Sequence, residues 1–168
     1  MIDVLNWYAL YVKSRQEFVT RDELRRKGID AYLPSVKRMS QWQDRKKCIE
    51  FALFPGYLFV FLRAHQEAFL SVLKTRGAVN LLSLQPGTPT AVPSEEIESL
   101  KLLVGSGQNL DIYPSLQRGA RVRVTNGPLK GAEGTIENRG EHYVFLVNID
   151  ILGRSVGVRI CADDIELD

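Results

Sequence analysis

Leu53-Phe54-Pro55-Gly56-Tyr57-Leu58-Phe59-Val60-Phe61-Leu62 is the stretch on which the reading of this chain turns. Phe54-Pro55-Gly56 breaks an apolar run, because proline fixes φ and lacks a donor while glycine accepts the conformations of a tight turn. Tyr57 to Leu62 is then apolar throughout and predicts a central strand. Successive side chains of a strand point to opposite faces. Leu58, Val60 and Leu62 share one face; Tyr57, Phe59 and Phe61 share the other. Trp7 to Val12 predicts a second such strand, with Trp7, Ala9 and Tyr11 on one face and Tyr8, Leu10 and Val12 on the other. If three helices cover one side of a single sheet, the aromatic side stays open as an interaction patch. The alternative is a sheet with both faces in the core.

Working outward, Gln16 to Lys27 predicts a helix closed by Gly28 at its C′ position, with a thin apolar stripe of Phe18, Val19 and Leu24. Ile29 to Leu33 predicts a short strand ended by Pro34. Met39 to Lys47 is polar and basic around Trp42 and predicts a long hairpin tip. Ile49 to Leu53 alternates, Gln66 to Thr75 has helical spacing, and Val79 to Leu84 predicts a strand. Ser94 is expected to cap a third helix with Glu95 and Glu96 at its positive end, and Ile97, Leu100 and Val104 on one face. From Gln117 onward, short alternating strands between Gly and Asn turns predict a small all-β barrel. The fold class is therefore α+β, with residues 1–107 as a first domain, 108–116 as linker and 117–168 as a second.

The 168 residues carry 22 Lys/Arg against 20 Asp/Glu, a net charge of +2, with 45% hydrophobic residues. This is globular composition, not that of a disordered chain. No apolar run reaches the ~20 residues that span a bilayer, and the N-terminus lacks the pattern of a secretory signal. Two cysteines, Cys48 and Cys161, make neither a disulfide framework nor a zinc cluster and are expected to be buried fillers; a cytoplasmic protein is expected. His65 and His142 have no partner at metal-ligand spacing. The Gly-rich segment Gly127 to Gly134 lacks the Gly-Lys-Ser/Thr of a phosphate loop. No enzyme, metal or cofactor is expected. Charge is uneven: residues 13–47 hold 11 Lys/Arg against 5 Asp/Glu, either a phosphate-attracting patch or a solvated surface.

Trp7-Tyr8-Ala9-Leu10-Tyr11-Val12-Lys13, then Gln16, Leu24, Gly28 and Leu33-Pro34, then Phe54-Pro55-Gly56-Tyr57-Leu58-Phe59-Val60, resembles the N-terminal domain of the NusG family. Gly119-x-x-Val122-Arg123-Val124-x-x-Gly127-Pro128-Leu129-Lys130-Gly131-x-x-Gly134-Thr135-Ile136 resembles the KOW motif that follows it there. The resemblance implies a four-stranded antiparallel sheet with helices, then an SH3-like barrel. It implies a monomeric bacterial transcription elongation factor whose hydrophobic face, here Tyr11, Phe54, Pro55, Tyr57, Phe59, Ile97 and Leu100, seats on the clamp helices of the largest RNA polymerase subunit. Loop Ile151-Leu152-Gly153-Arg154 matches the place where the family's barrel takes a small-subunit ribosomal protein or Rho.

Trp42-x-Asp44-Arg45-Lys46-Lys47, Thr75-Arg76-Gly77 and Val92-Pro93-Ser94 are similar to the RfaH-like and UpxY-like antiterminators. That likeness implies contacts to the non-template DNA strand through Arg26, Lys27, Thr75 and Arg76. A DNA-contacting histidine of the RfaH-like branch falls at Glu23, whose carboxylate repels phosphate, so any recognised DNA sequence should differ. Gly127, Gly131 and Gly134 disfavour helix by about 1 kcal/mol each relative to Ala, which argues for a lasting β-barrel over a helical alternative. A second reading stays open: a KOW-type RNA-binding protein of the ribosome, although +2 is a low net charge for one.

Overall fold

The computed structural model describes residues 4–42, 45–114, 119–140 and 142–167. Asp44 lies outside the described residues, as do 1–3, 115–118 and 168 of the expected domain and linker spans. The chain divides into two compact units, Met1–Ala91 and Val92–Asp168.

The first unit holds a sheet in the order β2 (Asp30–Tyr32), β5 (Tyr57–Arg63), β1 (Leu5–Val12) and β6 (Ala78–Leu81). All three of these pairings are antiparallel. The two-residue β7 (Ala91–Val92) also pairs with β1. Two helices, α1 (Glu17–Arg26) and α2 (Gln66–Leu73), accompany it. One sheet face is the core: Tyr8, Leu10, Val12, Leu58, Val60 and Leu62 cluster with Leu24 of α1 and Val72 of α2. This is the even-residue face that alternation in β1 and β5 predicts. Helix α1 ends as expected. The amide of Ile29 donates to the Leu24 carbonyl and that of Gly28 to the Arg25 carbonyl, the paired bonds of a Schellman stop. On α1, Val19 is exposed while Glu17 and Thr20 are buried. Their polar atoms are used locally: Glu17 accepts from the Arg15 amide and the Thr20 hydroxyl donates to the Arg76 carbonyl.

The basic segment is more than a hairpin tip. Strands β3 (Ser35–Trp42) and β4 (Arg45–Ala52) form a separate two-stranded ribbon in eight-residue register, from Ser35↔Ala52 to Trp42↔Arg45. Cys48 stands exposed on it, and Cys161 is exposed as well. Both cysteines were expected inside. Arg45 to Cys48 are exposed in succession, so this part of β4 offers Cys48 no interior to enter.

The second unit opens with α3 (Ser94–Gly105). Its N-cap is Pro93, with no side-chain cap bond, so Ser94 is the first helical residue and not the cap. Leu103, not Val104, completes the buried stripe with Ile97 and Leu100. The sheet runs β13 (Ile165–Leu167), β9 (Ala120–Val124), β10 (Glu133–Arg139), β11 (His142–Ile149), β12 (Arg154–Ile160) and β8 (Asp111–Pro114), antiparallel throughout. Strand β8 lies inside the stretch read as linker. Val144, Phe145, Leu146 and Val147 are buried in succession, so both faces of β11 are covered, and α3 packs over β10 and β11. Gly134 permits the close approach of β10 to β11. A Cβ there would stand 2.1 Å from the Leu146 carbonyl oxygen. Beyond Gly105 the described residues contain no α-helix.

Candidate functional site

The expected interaction face begins at the turn Phe54-Pro55-Gly56-Tyr57. The Tyr57 amide donates to the Phe54 carbonyl at 3.0 Å, and Gly56 has φ +89°. Proline second and a positive-φ glycine third is what a type II turn demands. The Gly56 carbonyl then accepts the Val12 amide at 2.8 Å, locking the turn onto β1. A Cβ on Gly56 would reach within 3.3 Å of the Tyr11 ring. Beyond the turn, Tyr11 lies opposite Tyr57, Ala9 opposite Phe59 and Trp7 opposite Phe61. The Tyr11 and Tyr57 rings are 5.4 Å apart, and those of Trp7 and Phe61 4.9 Å. Both spacings lie in the favourable range for aromatic pairs.

This face is not open along its length: α1 and α2 pack on the core side of the first sheet, and on this side Trp7, Ala9 and Phe59 are buried as well. Tyr11 is 42% exposed, Pro55 is exposed and Tyr57 half-buried. Phe54, Phe59, Ile97 and Leu100 are fully buried. The structure therefore brings Tyr11, Pro55 and Tyr57 together at one accessible corner, with Phe54 and Phe59 inside, and carries Ile97 and Leu100 on α3 of the second unit.

The second set gathers where α1 ends and α2 is followed by its turn. Lys27 Nζ donates to the Ser71 carbonyl and to Thr75 Oγ1, both at 3.0 Å. Thr75 Oγ1 donates in turn to the Ser71 carbonyl at 3.0 Å. Thr75 is buried, so its hydroxyl positions Lys27. Arg26 and Arg76 are exposed. Arg26 pairs with Glu23 at 2.7 Å, which offsets part of the local positive charge.

The third set is a tight loop in the second unit. Asp150–Leu152 forms a 3-10 turn, the Gly153 amide donates to the Asp150 carbonyl at 3.0 Å, and Arg154 opens β12. Ile151, Leu152 and Arg154 are half-buried and Gly153 is exposed. Sequence reasoning missed what holds this loop. The Asp150 amide donates to Glu96 Oε1 at 3.1 Å; a second bond from α3, the Glu133 amide to Ser99 Oγ at 2.9 Å, holds the start of β10 and not the loop. Ser99, a polar residue between Ile97 and Leu100 on an apolar stripe, was the available signal for the bond to β10.

Burial pushes the Glu96 carboxyl up to about 7, helped by the nearby Asp150 and Glu95 carboxylates and opposed by the Asp150 amide and Arg121. A carboxyl raised in the folded state contributes stability that is full below its ordinary value near 4.5 and is lost as pH rises through about 7. Wild type is therefore expected to lose urea resistance between about pH 5 and pH 8 relative to Glu96→Gln, whose amide oxygen still accepts the Asp150 bond. Parallel pH curves for the two proteins would show that Glu96 is not desolvated by this contact.

Among the described residues no group of three His, Cys, Asp or Glu side chains could hold a metal ion, and no helix is long and apolar enough to cross a membrane. An α+β unit with an aromatic corner and a cationic helix end is joined to a second unit, in which one helix accompanies a six-stranded sheet that carries the apolar loop. Residues 5–101 match the family model for transcription termination factor NusG. The chain belongs to the NusG family. It is 27% identical over 173 residues to the transcription termination/antitermination protein NusG of Lactococcus lactis, covering 97% of this chain and 90% of that protein. It is 25% identical over 174 residues to its namesake in Chlamydia trachomatis, covering 97% and 92%. The solved structure of domain interaction in Thermotoga maritima NusG aligns with a TM-score of 0.53 at 20% identity, covering 97% of each chain, and so shares the fold. The α+β class with a KOW-like β domain is thus the architecture present.

Proposed function

We propose that this chain is a transcription elongation and antitermination factor that binds RNA polymerase and shifts it toward its processive state. The observation that carries the reading is the rigid, partly exposed corner of Tyr11, Pro55 and Tyr57 on a chain of the NusG family. It sits on the β1–β5 ladder and is fixed by a defined turn, so little ordering entropy is lost on docking. Its expected seat is the clamp helices of the largest polymerase subunit. Phe54 and Phe59 back the corner from inside; Ile97 and Leu100 make no contact in this conformation because they are buried.

Arg26, Lys27 and Arg76, with Thr75 positioning Lys27, form the face for the exposed non-template strand. The Ile151–Arg154 loop takes a small-subunit ribosomal protein or Rho. Motifs similar to the RfaH-like and UpxY-like factors favour an operon-specific paralogue, acting as a cytoplasmic monomer. The functional division proposed remains 1–107, 108–116 and 117–168.

The test is transcription by purified polymerase through a pause site. The chain is expected to shorten the pause, and Tyr11→Ala/Tyr57→Ala to leave it at its factor-free length. A pause unaffected by wild-type chain would remove the elongation role.

A further inference from the structure

Arg15, on the turn between β1 and α1, has φ +65°, and among the described residues it is the one non-glycine with positive φ. A Cβ makes that conformation costly, and it persists only where the surrounding structure fixes it. Here the surroundings do so. The Gln16 amide donates to the Lys13 carbonyl at 3.0 Å and closes the turn. The Arg15 amide donates to Glu17 Oε1 at 3.1 Å, so the buried Glu17 carboxylate is engaged by the backbone of the turn. The turn is also fastened to the one at 75–77. The Lys13 amide donates to the Gly77 carbonyl at 2.8 Å, and the Thr20 hydroxyl of α1 to the Arg76 carbonyl at 2.8 Å. The two joined turns carry Lys13, Arg15 and Arg76, all exposed. Among the described residues no ion pair or hydrogen bond engages the side chains of these three.

We infer that Arg15 is a further binding residue, which takes a phosphate of the single DNA strand beside the one taken by Arg76. Glycine would adopt this φ without a steric cost. Arginine bears that cost and returns no side-chain contact to the fold, so the side chain serves something outside the chain. Charge complementarity sets what that is. Cations left unneutralised on two adjoining turns suit a polyanion, and the planar guanidinium can pair with two oxygens of one phosphate. The closed turn holds the backbone at Arg15 in place before binding, so less order is lost when the strand arrives. The inference rests on the Arg26/Lys27/Arg76 face taking the non-template strand. It extends that face across the β1–α1 turn and makes Arg15 a residue whose identity is set by binding at the expense of stability.

The experiment is fluorescence anisotropy of the full chain with a labelled single-stranded DNA oligonucleotide between about 50 and 200 mM salt, with a thermal melt of each variant. Each lost phosphate contact lowers the slope of log K against log salt by about 0.7 on a single strand. Arg15→Gly and Arg15→Gln are each expected to lower it by that amount, Arg15→Lys to keep it, and Arg15→Gln/Arg76→Gln to lower it by about 1.4. Arg21→Gln, whose guanidinium is paired with Asp22, is expected to keep the wild-type slope. Arg15→Gly is also expected to melt about 3 °C higher than wild type, because the strain is relieved as the contact is lost. A slope that falls with Arg76→Gln but not with Arg15→Gln overturns the inference and leaves the reading of the face intact. A slope that neither changes, or no binding at the lowest salt, overturns both. An Arg15→Gly melting midpoint at or below that of wild type shows an unstrained turn and overturns the inference as well. Weakened polymerase binding by Arg15→Gln with an unchanged DNA slope would assign Arg15 to an acidic protein surface and overturn it equally.

Discussion

Gly134→Ala is expected to cost about 3 kcal/mol or more, the upper end for forcing atoms into a packed core. The new Cβ would lie 2.1 Å from the Leu146 carbonyl oxygen and 3.1 Å from the Phe145 ring. Neither neighbour yields easily. Leu146 pairs with both Thr135 and Gly157, so its backbone is held from two sides. Phe145 is fully buried. Small domains have only a few kcal/mol in hand, so the substitution is expected to unfold the second unit and leave the first largely intact. A urea titration of the full chain checks this: a new transition at low denaturant, with loss of the β11 amides from slow hydrogen exchange, is the expected record. A single transition at the wild-type midpoint would show that the β10–β11 approach has slack.

Tyr11→Ala/Tyr57→Ala is expected to weaken binding to core RNA polymerase by about 1000-fold, since aromatic hot spots are worth about 2 kcal/mol or more each and every 1.4 kcal/mol is about tenfold. The two rings pack at a tilt, 5.4 Å apart, and present the accessible end of the face. Because Tyr11 is 42% exposed, its truncation leaves little cavity, and the loss is expected in binding rather than in folding. An equilibrium titration with a thermal melt beside it separates the two. Unchanged affinity with a lowered melting temperature would make the pair a structural contact only.

Alternation made Leu58, Val60 and Leu62 legible as core and Tyr11 and Tyr57 as a shared face, because a half-buried strand writes its burial into every second residue. Depth was not legible. Phe59 follows the same alternation as Tyr57 yet is fully buried, since what covers a sheet position is set by distant residues. Strand β8, Asp111-Ile112-Tyr113-Pro114, was hidden because it is a four-residue edge strand: Ile112 is 42% exposed, and no long apolar or alternating run marks it. The ribbon was read only as a basic tip because its register depends on pairing Ser35 with Ala52, far apart in sequence. Thr75 was read as a contact residue, and its hydroxyl instead holds Lys27. A hydrogen bond between residues 27 and 75 has no local signature.

The most direct test of the central claim is the affinity of the unmodified chain for core RNA polymerase at low salt and at about 0.5 M salt, where screening falls to within about 5 Å. Docking through an apolar corner predicts tight binding that changes little between the two conditions. Binding that collapses with salt, with the chain instead retained on ribosomal RNA at low salt, would contradict the account and favour a KOW-type ribosomal RNA binder.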